Sequence, residues 1–437
     1  MQVRPGHRRY AALAAVAATL VAGLLVVGSP VSSSPTSPAA VAAIDDDVHL
    51  NEIQVVGSHN SYKTMVSPAE EALRRSFINE AADLMQYQHE PLGTQFQSRK
   101  VRQIELDVYL DSAGGLYSDP LLRSAAGIPT YDPKMDEPGI KVLHIQDVDY
   151  ASTCLTFVDC LTAVKTWSDA NPSHVPLAVL VELKDDPLDF PGFTFTSPEP
   201  WTAANIGSLD DEIRSVMDDS DLLTPDDVRG SHPTLNEAVT TDGWPTLGES
   251  RGKVMFMMDN QGGYRTDYLA GHPTLEDRVL FTNANPGDAD AAFIKRNDPF
   301  DASIPGLVTD GYVVRTRSDA DTIEARDNNT GPRDAALASG AQWVSTDYEG
   351  PGLAVGFTSP YVVEIPGGTV ARCNPVNGPE GCDSALLDTI YTPIAPPTTS
   401  TSTPTTSTPT TSTTVVATDP TTAPAAVPVG GTASYTG

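Results

Sequence analysis

The sequence predicts an α/β chain organised as a (β/α)8 barrel of the TIM type. Three observations lead there. Eight apolar runs bounded by turn residues recur along one continuous stretch of roughly 350 residues. Helix-like patterns fill most of the intervals between them, and no glycine-rich phosphate loop follows the first run. Strands alternating with helices over that length favour a barrel over an open doubly wound sheet, and the missing loop removes the usual signature of the open form. No internal repeat is visible.

In order, the strand candidates are Ile53–His59, Val101–Leu110, Ile140–Ile145, Pro176–Lys184, Lys253–Asp259, Val279–Asn283, Gly311–Thr316 and Gln342–Tyr348. Between the first two, Ala72, Leu73, Phe77, Ala81, Leu84 and Met85 recur at near-helical spacing within Ala69 to Tyr87. Leu161, Val164 and Trp167 mark a helix in Leu155 to Ala170, and Ile213 and Val216 mark one in Leu209 to Met217. A last helix over Arg333 to Ala338 precedes Gly340, a suitable C-terminal stop.

Both ends of the 437-residue chain read as extrinsic to this core. Residues 1–43 begin with Arg4, Arg8 and Arg9, continue as an apolar run to about Val27, and end in small residues with Val41-Ala42-Ala43 as a cleavage pattern. This order predicts a secretory signal peptide and a secreted, extracellular protein; an uncleaved N-terminal membrane anchor is the alternative. Residues 393–437 are Thr/Ser/Pro-rich and nearly uncharged, a composition that cannot bury enough apolar surface to fold. They are expected to be a disordered tail, a stalk or spacer open to O-glycosylation. The core, residues 44–392, is long enough for one large domain.

The leader holds three of the 27 Lys+Arg and the tail one of the 57 Asp+Glu, so the core keeps 24 and 56, a net charge of −32. That excludes the basic footprint a nucleic-acid partner requires and opposes simple adsorption to anionic membranes. It suits solubility and divalent cations. Four cysteines fall into two local pairs, Cys154 with Cys160 and Cys373 with Cys382. Behind an export signal they are expected to form local disulfides, although four cysteines allow three connectivities.

A barrel places its chemistry at the C-terminal ends of its strands. On the second run Ile104, Leu106, Val108 and Leu110 share one face, and Gln103, Glu105, Asp107 and Tyr109 share the other. Two carboxylates turned into a barrel need neutralising, either by Ca²⁺ or by an internal Arg/Lys network. The first run ends in His59-Asn60: an imidazole that exchanges protons near neutrality, beside an amide oxygen suited to calcium. A capping role is the plain alternative. The third run ends near His144, which is either a second proton-transfer group or a core histidine. On the fourth, Glu182 and Lys184 offer a further carboxylate and a cation for phosphate, or simply a salt-bridged pair. Arg315 and Arg317 follow, either as phosphate ligands or as partners for internal acids, and then Asp347 and Tyr348. His89 is near enough in sequence to such loops to approach the same mouth, whereas His49, His174, His232 and His272 receive no role. No Gly-x-Ser-x-Gly elbow and no His-Glu-x-x-His is present, so acyl hydrolase and zinc peptidase readings lack support.

Several strings together carry a resemblance: Gly57-Ser58-His59-Asn60-Ser61-Tyr62, Tyr87-Gln88-His89-Glu90-Pro91-Leu92, Gln103-Ile104-Glu105-Leu106-Asp107-Val108, Val142-Leu143-His144, and Val181-Glu182-Leu183-Lys184. The segments Arg315 to Asp321 and Ser339 to Tyr348 extend it. In this combination the chain resembles the secreted bacterial calcium-dependent phosphatidylinositol-specific phospholipase C family, over about Asn51 to Tyr348. The resemblance implies a barrel of the PLC-like phosphodiesterase type. It also implies Ca²⁺ as cofactor and a reaction in which the inositol 2-hydroxyl attacks the phosphate, releasing diacylglycerol and a cyclic inositol phosphate. Carried over, His59 and His144 are the catalytic pair. Asn60, Glu105, Asp107 and Glu182 hold the metal, and Lys184 and Arg315 bind substrate. An acidic insertion, Tyr131 to Glu137, lies before His144 and departs from the pattern. A phospholipid or soluble phosphodiester substrate, transient contact with a membrane surface and a monomeric state are expected. A glycerophosphodiester phosphodiesterase and a non-catalytic surface-displayed binding protein stand as alternatives. A glycosidase built on Glu105 and Glu182 is disfavoured, since it leaves both histidines idle.

Overall fold

The computed structural model describes residues 38–389 apart from 130, 190 and 191, with side chains described from residue 41. Most of the expected signal peptide and the whole expected Thr/Ser/Pro tail lie outside the described residues. Inside them, a helix over Pro38–Asp47 runs across the expected cleavage position.

The described residues form one sheet of ten strands. They are β1 (Ile53–Ser58), β2 (Gln103–Tyr109), β3 (Lys141–Val142), β4 (Leu177–Lys184), β5 (Val254–Met258), β6 (Leu280–Thr282), β7 (Phe293–Lys295), β8 (Val313–Arg317), β9 (Trp343–Thr346) and β10 (Ala371–Cys373). Eight of these are parallel in the order β6-β5-β4-β2-β1-β9-β8-β7. A parallel bridge from Asn283 to Phe293 brings the two ends of that series together. The result is a nearly closed eight-stranded α/β barrel, as the sequence predicts.

Membership of the barrel differs from expectation at one strand. The run Ile140–Ile145 supplies only β3, which pairs antiparallel with the last two residues of β2 and stands outside the parallel series. The reason is steric. β4 pairs with every residue of β2, Gln103↔Ala178 through Tyr109↔Lys184, and leaves no place between them for another strand. The eighth barrel strand is instead Phe293–Lys295, three residues set between Asp290 and Arg296 and too short to show a period. His144 therefore sits in a loop beyond β3 rather than at a barrel-strand end.

β1 and β2 pair at a single register position, Gly57↔Gln103. A Cβ on Gly57 would lie 1.9 Å from Gln103 Oε1, so this contact requires glycine. The first half of β1 is paired by β10 instead, in antiparallel register from Ile53↔Cys373 to Val55↔Ala371. The Cys373–Cys382 disulfide ties β10 to the segment after it, and Cys154–Cys160 closes the loop before the helix Phe157–Ala170, so the expected local pairing is what the structure holds.

The expected helices form with small shifts. The pattern from Ala69 divides into an α-helix, Pro68–Ile78, and a 3₁₀ segment, Asn79–Met85. Ser67 and Glu70 cap the first reciprocally, each side chain accepting the other's backbone N–H, with Pro68 in the first turn. Ile104, Leu106 and Val108, on the outer face of β2, are fully buried in one core cluster with Phe96, Phe157, Leu161 and Val164. The opposite face of β2 is then committed to the barrel interior, which is what aims Glu105 and Asp107 at the mouth.

Candidate active site

β1 delivers His59 and Asn60 just past its last residue, with His59 N–H bonded to Thr346 O at 2.8 Å. Asn60 adopts φ 47°, a left-handed turn that Asn tolerates better than most residues. Its Nδ2 donates to Tyr87 Oη at 2.8 Å, and its Oδ1 accepts from Tyr62 Oη at 3.5 Å. His59 is clamped at both nitrogens. Nδ1 lies 2.8 Å from Asp347 Oδ1, and Nε2 lies 3.3 Å from Arg317 Nη1 and 3.6 Å from Glu105 Oε1. A carboxylate at Nδ1 and a guanidinium donor at Nε2 are satisfied together only by the neutral Nδ1–H tautomer. Burial first, then the Arg317 and Arg315 guanidinium groups, hold His59 well below its ordinary pKa. It is a neutral imidazole equipped to accept a proton.

Glu105 and Asp107 stand on one face of β2, and Glu182 lies directly across from Asp107 in the β2–β4 register. One oxygen from each of the three lies within 4.8 Å of the others, and all three residues are buried. Burial pushes Glu105 up to about 7 against the pull of Arg315, and pushes Asp107 up against the pull of Lys184. Both Asp107 oxygens are buried and accept no hydrogen bond. Crowded carboxylates with unsatisfied oxygens are what a hard dication neutralises, so these residues fit Ca²⁺.

Two cations partly offset the three acids. Arg315 Nη2 donates to Glu105 Oε2 at 2.5 Å, and Lys184 Nζ lies 2.8 Å from Glu182 Oε1 and 3.4 Å from Asp107 Oδ2. The internal-network reading of Arg315 and Lys184 thus describes their contacts here. Both stay at the mouth, beside the carboxylates they serve.

His144 reaches the same end of the barrel from the loop after β3. Its Nδ1 lies 2.7 Å from Asp149 Oδ2, and its side chain keeps 21 % of its surface exposed. His89 is fully buried with Nδ1 3.0 Å from Glu349 Oε1, set edge-on to Tyr87. Sequence reasoning named Asp347 without a role, left Arg317 as either a phosphate ligand or a partner for internal acids, and did not name Asp149. Asp347 terminates the eighth run, which could have marked it; Asp149 follows no strand and carries no comparable signal.

Two histidines backed by carboxylates, beside three facing acids at one end of a parallel barrel, suit phosphoryl transfer assisted by a divalent cation. Such chemistry needs no protein nucleophile. The particular family follows from the sequence as a whole. Residues 48–375 match the family model described as phosphoinositide phospholipase C, Ca²⁺-dependent, and the chain belongs to that family. It is a family of calcium-dependent phosphodiesterases. No curated protein matches the chain in sequence. Among solved structures, the chain is similar to the calcium-dependent phosphoinositol-specific phospholipase C of a Gram-negative Pseudomonas species, with 15 % identity and a TM-score of 0.46 over 76 % of this chain and 96 % of that one. It is also similar to the Ca²⁺-dependent phosphatidylinositol-specific enzyme of Streptomyces antibioticus, with 18 % identity and a TM-score of 0.42 over 69 % and 95 %. Similarity extends to L. pealei PLC21, with 11 % identity and a TM-score of 0.31 over 68 % and 30 %.

Proposed function

We propose that this chain is an exported phospholipase C that cleaves phosphatidylinositol into diacylglycerol and a cyclic inositol phosphate. The observation that carries the reading is the buried Glu105–Asp107–Glu182 cluster, in which neither Asp107 oxygen accepts a hydrogen bond, set next to a carboxylate-backed His59. His59 Nε2 accepts the proton of the inositol 2-hydroxyl, whose oxygen attacks phosphorus. Asp347 steadies the imidazolium that results. His144 donates a proton to the glycerol oxygen as its bond to phosphorus breaks. Asn60, Glu105, Asp107 and Glu182 would hold Ca²⁺, which supplies a lowered hydroxyl pKa and neutralisation of charge at the phosphoryl group. Lys184 and Arg315 bind the phosphate oxygens once their carboxylate partners are engaged elsewhere.

The substrate is a lipid, so the mouth must meet a membrane surface. Phe77 and Phe193 are 40 % and 37 % exposed and pack edge to face at 4.8 Å. They come from the segments that follow β1 and β4. No helix among the described residues is long and apolar enough to cross a membrane. The proposed contact is made through these apolar tips rather than through charge.

The test incubates the purified chain with phosphatidylinositol vesicles and with soluble glycerophosphoinositol, in Ca²⁺ or in chelator. Calcium-dependent release of diacylglycerol is the expected result. Turnover of the deacylated substrate alone would assign the chain to glycerophosphodiester hydrolysis, and no turnover of either would remove the enzyme reading.

A further inference from the structure

The inward side of His144 carries an ion network to which the reaction above gives no role. Asp149 has no side-chain exposure, while His144 retains 21 %. With Nδ1 2.7 Å from Asp149 Oδ2, the ring turns one nitrogen to a buried carboxylate and leaves Nε2 for the mouth. Asp149 is itself gripped by two cations. Arg74 Nη1, from the helix Pro68–Ile78, donates to Oδ1 at 2.6 Å, and Lys63 Nζ lies 3.6 Å from Oδ2. Arg74 is held in turn by Glu71, its Nε donating to Oε2 at 2.9 Å. Lys63 Nζ donates to Met85 O at 2.8 Å and Tyr87 O at 2.9 Å, and its backbone N–H donates to Asn60 O at 2.8 Å. Burial alone would push Asp149 up, but Lys63 and Arg74 outweigh it and hold the carboxyl far below the usual carboxylate range. An acid that stays ionised accepts hydrogen bonds only.

We propose that Asp149, fixed between Arg74 and Lys63, is the positioning residue that keeps a proton on His144 Nδ1 and presents Nε2 to the leaving oxygen. The inference rests on the leaving-group role given to His144 above. In that step the Nε2 proton of the imidazolium passes to the glycerol oxygen. The electron pair of the breaking P–O bond goes to the same oxygen, and the neutral Nδ1–H imidazole remains bonded to Asp149. The rest of the segment is pinned separately: Tyr109 Oη donates to His144 O at 3.1 Å and to Gln146 Oε1 at 3.0 Å, Gln146 Nε2 donates to Asp186 O at 3.0 Å, and Asp147 Oδ1 accepts from Leu121 N–H at 2.9 Å; no further cation pairs with Asp149 among the described residues.

The experiment compares Asp149→Asn and His144→Ala on phosphatidylinositol and on a nitrophenyl ester of inositol phosphate, whose leaving group departs without a proton. Asp149→Asn is expected to lower kcat on the lipid by about 10²-fold and on the nitrophenyl ester by less than about 5-fold, with the calcium requirement unchanged. His144→Ala should show the same pattern, and the double variant should be no slower than His144→Ala. If His144→Ala slows both substrates equally or neither, the leaving-group assignment fails and this inference with it. If His144→Ala shows the pattern and Asp149→Asn does not, only the inference falls. Because Asp149→Asn leaves two buried cations short of a partner, ¹⁵N NMR of the unaltered protein is the second measurement. Neutral His144 protonated at Nδ1 supports the proposal; neutral His144 protonated at Nε2 overturns it.

Discussion

In the proposed reaction His59 accepts a proton at Nε2 while Asp347 holds Nδ1. Removing it by His59→Ala should lower turnover at least about 10²-fold while leaving calcium binding measurable by calorimetry. An unchanged rate would exclude it from proton transfer. In the proposed calcium site Asp107 is the more sensitive member, since neither of its oxygens accepts a hydrogen bond and, among the described residues, only Lys184 Nζ, 3.4 Å from Oδ2, pairs with it. Asp107→Asn should raise the Ca²⁺ concentration for half-maximal rate on the order of tenfold, because the charge count of the ligand set governs affinity. A slower enzyme with the same calcium midpoint would make Asp107 a scaffold residue. At this scale the residue types and their spacing in sequence were enough to nominate His59, Asn60, Glu105, Asp107 and Glu182. Which partners tune them was not settled there: Arg315, 210 positions from Glu105, stood between phosphate ligand and partner for internal acids, and Asp347, 288 positions from His59, had no role.

At the scale of elements, alternation along β2 sorts the apolar residues outward and the acids inward, and the helix periods hold to within a few residues. What periodicity does not carry is pairing direction. The run ending near His144 has strand chemistry, yet it adds to the end of β2 in antiparallel register because β4 already occupies that strand's full length. The three-residue β7 escapes notice for the opposite reason: it is strand by pairing with β8, not by pattern. At Gly57 β1 lies against the side chain of Gln103 on β2. Gly57→Ala should destabilise the fold by about 1–3 kcal/mol, read as a lower thermal midpoint, since the new Cβ meets Gln103. Gln103→Ala in the same chain should recover part of that loss; no loss in Gly57→Ala would mean that β1 and β2 can part there at little cost.

For the whole molecule, the strongly acidic core opposes adsorption to anionic lipid. In the proposed function the exposed Phe77–Phe193 pair is what meets a membrane. Replacing both by Ala should weaken vesicle binding and turnover of vesicle lipid, while a monomeric short-chain substrate is cleaved as before; equal turnover on vesicles would place the contact elsewhere. Global stability carries its own pH dependence. His174 is fully buried, with Nδ1 2.6 Å from Val175 O and Ser168 Oγ 2.8 Å from Nε2, and burial pushes it down to about 4. A histidine whose folded pKa lies below its unfolded value favours unfolding as pH falls between the two. Stability should therefore decline by on the order of 3 kcal/mol from about pH 6.5 to about 4. In His174→Gln, denaturant midpoints should lose that portion of the slope; an unaltered slope would assign acid sensitivity to other groups.

By itself the sequence determined the barrel class, the inward face of β2, the local cysteine pairs and the residue types able to handle a proton and a dication. These follow from side-chain period, turn chemistry and short-range spacing, all of which are local. Tertiary structure alone decided which strand completes the barrel and that Arg315 and Lys184 pair with the acids of the cluster. It also set Asp347 behind His59 and Asp149 behind His144. Asp347 with His59 and Arg315 with Glu105 join segments far apart in the chain, brought together by closure of the barrel; Asp149 with His144 and Lys184 with Glu182 are near in sequence, and there burial decides that the charges pair.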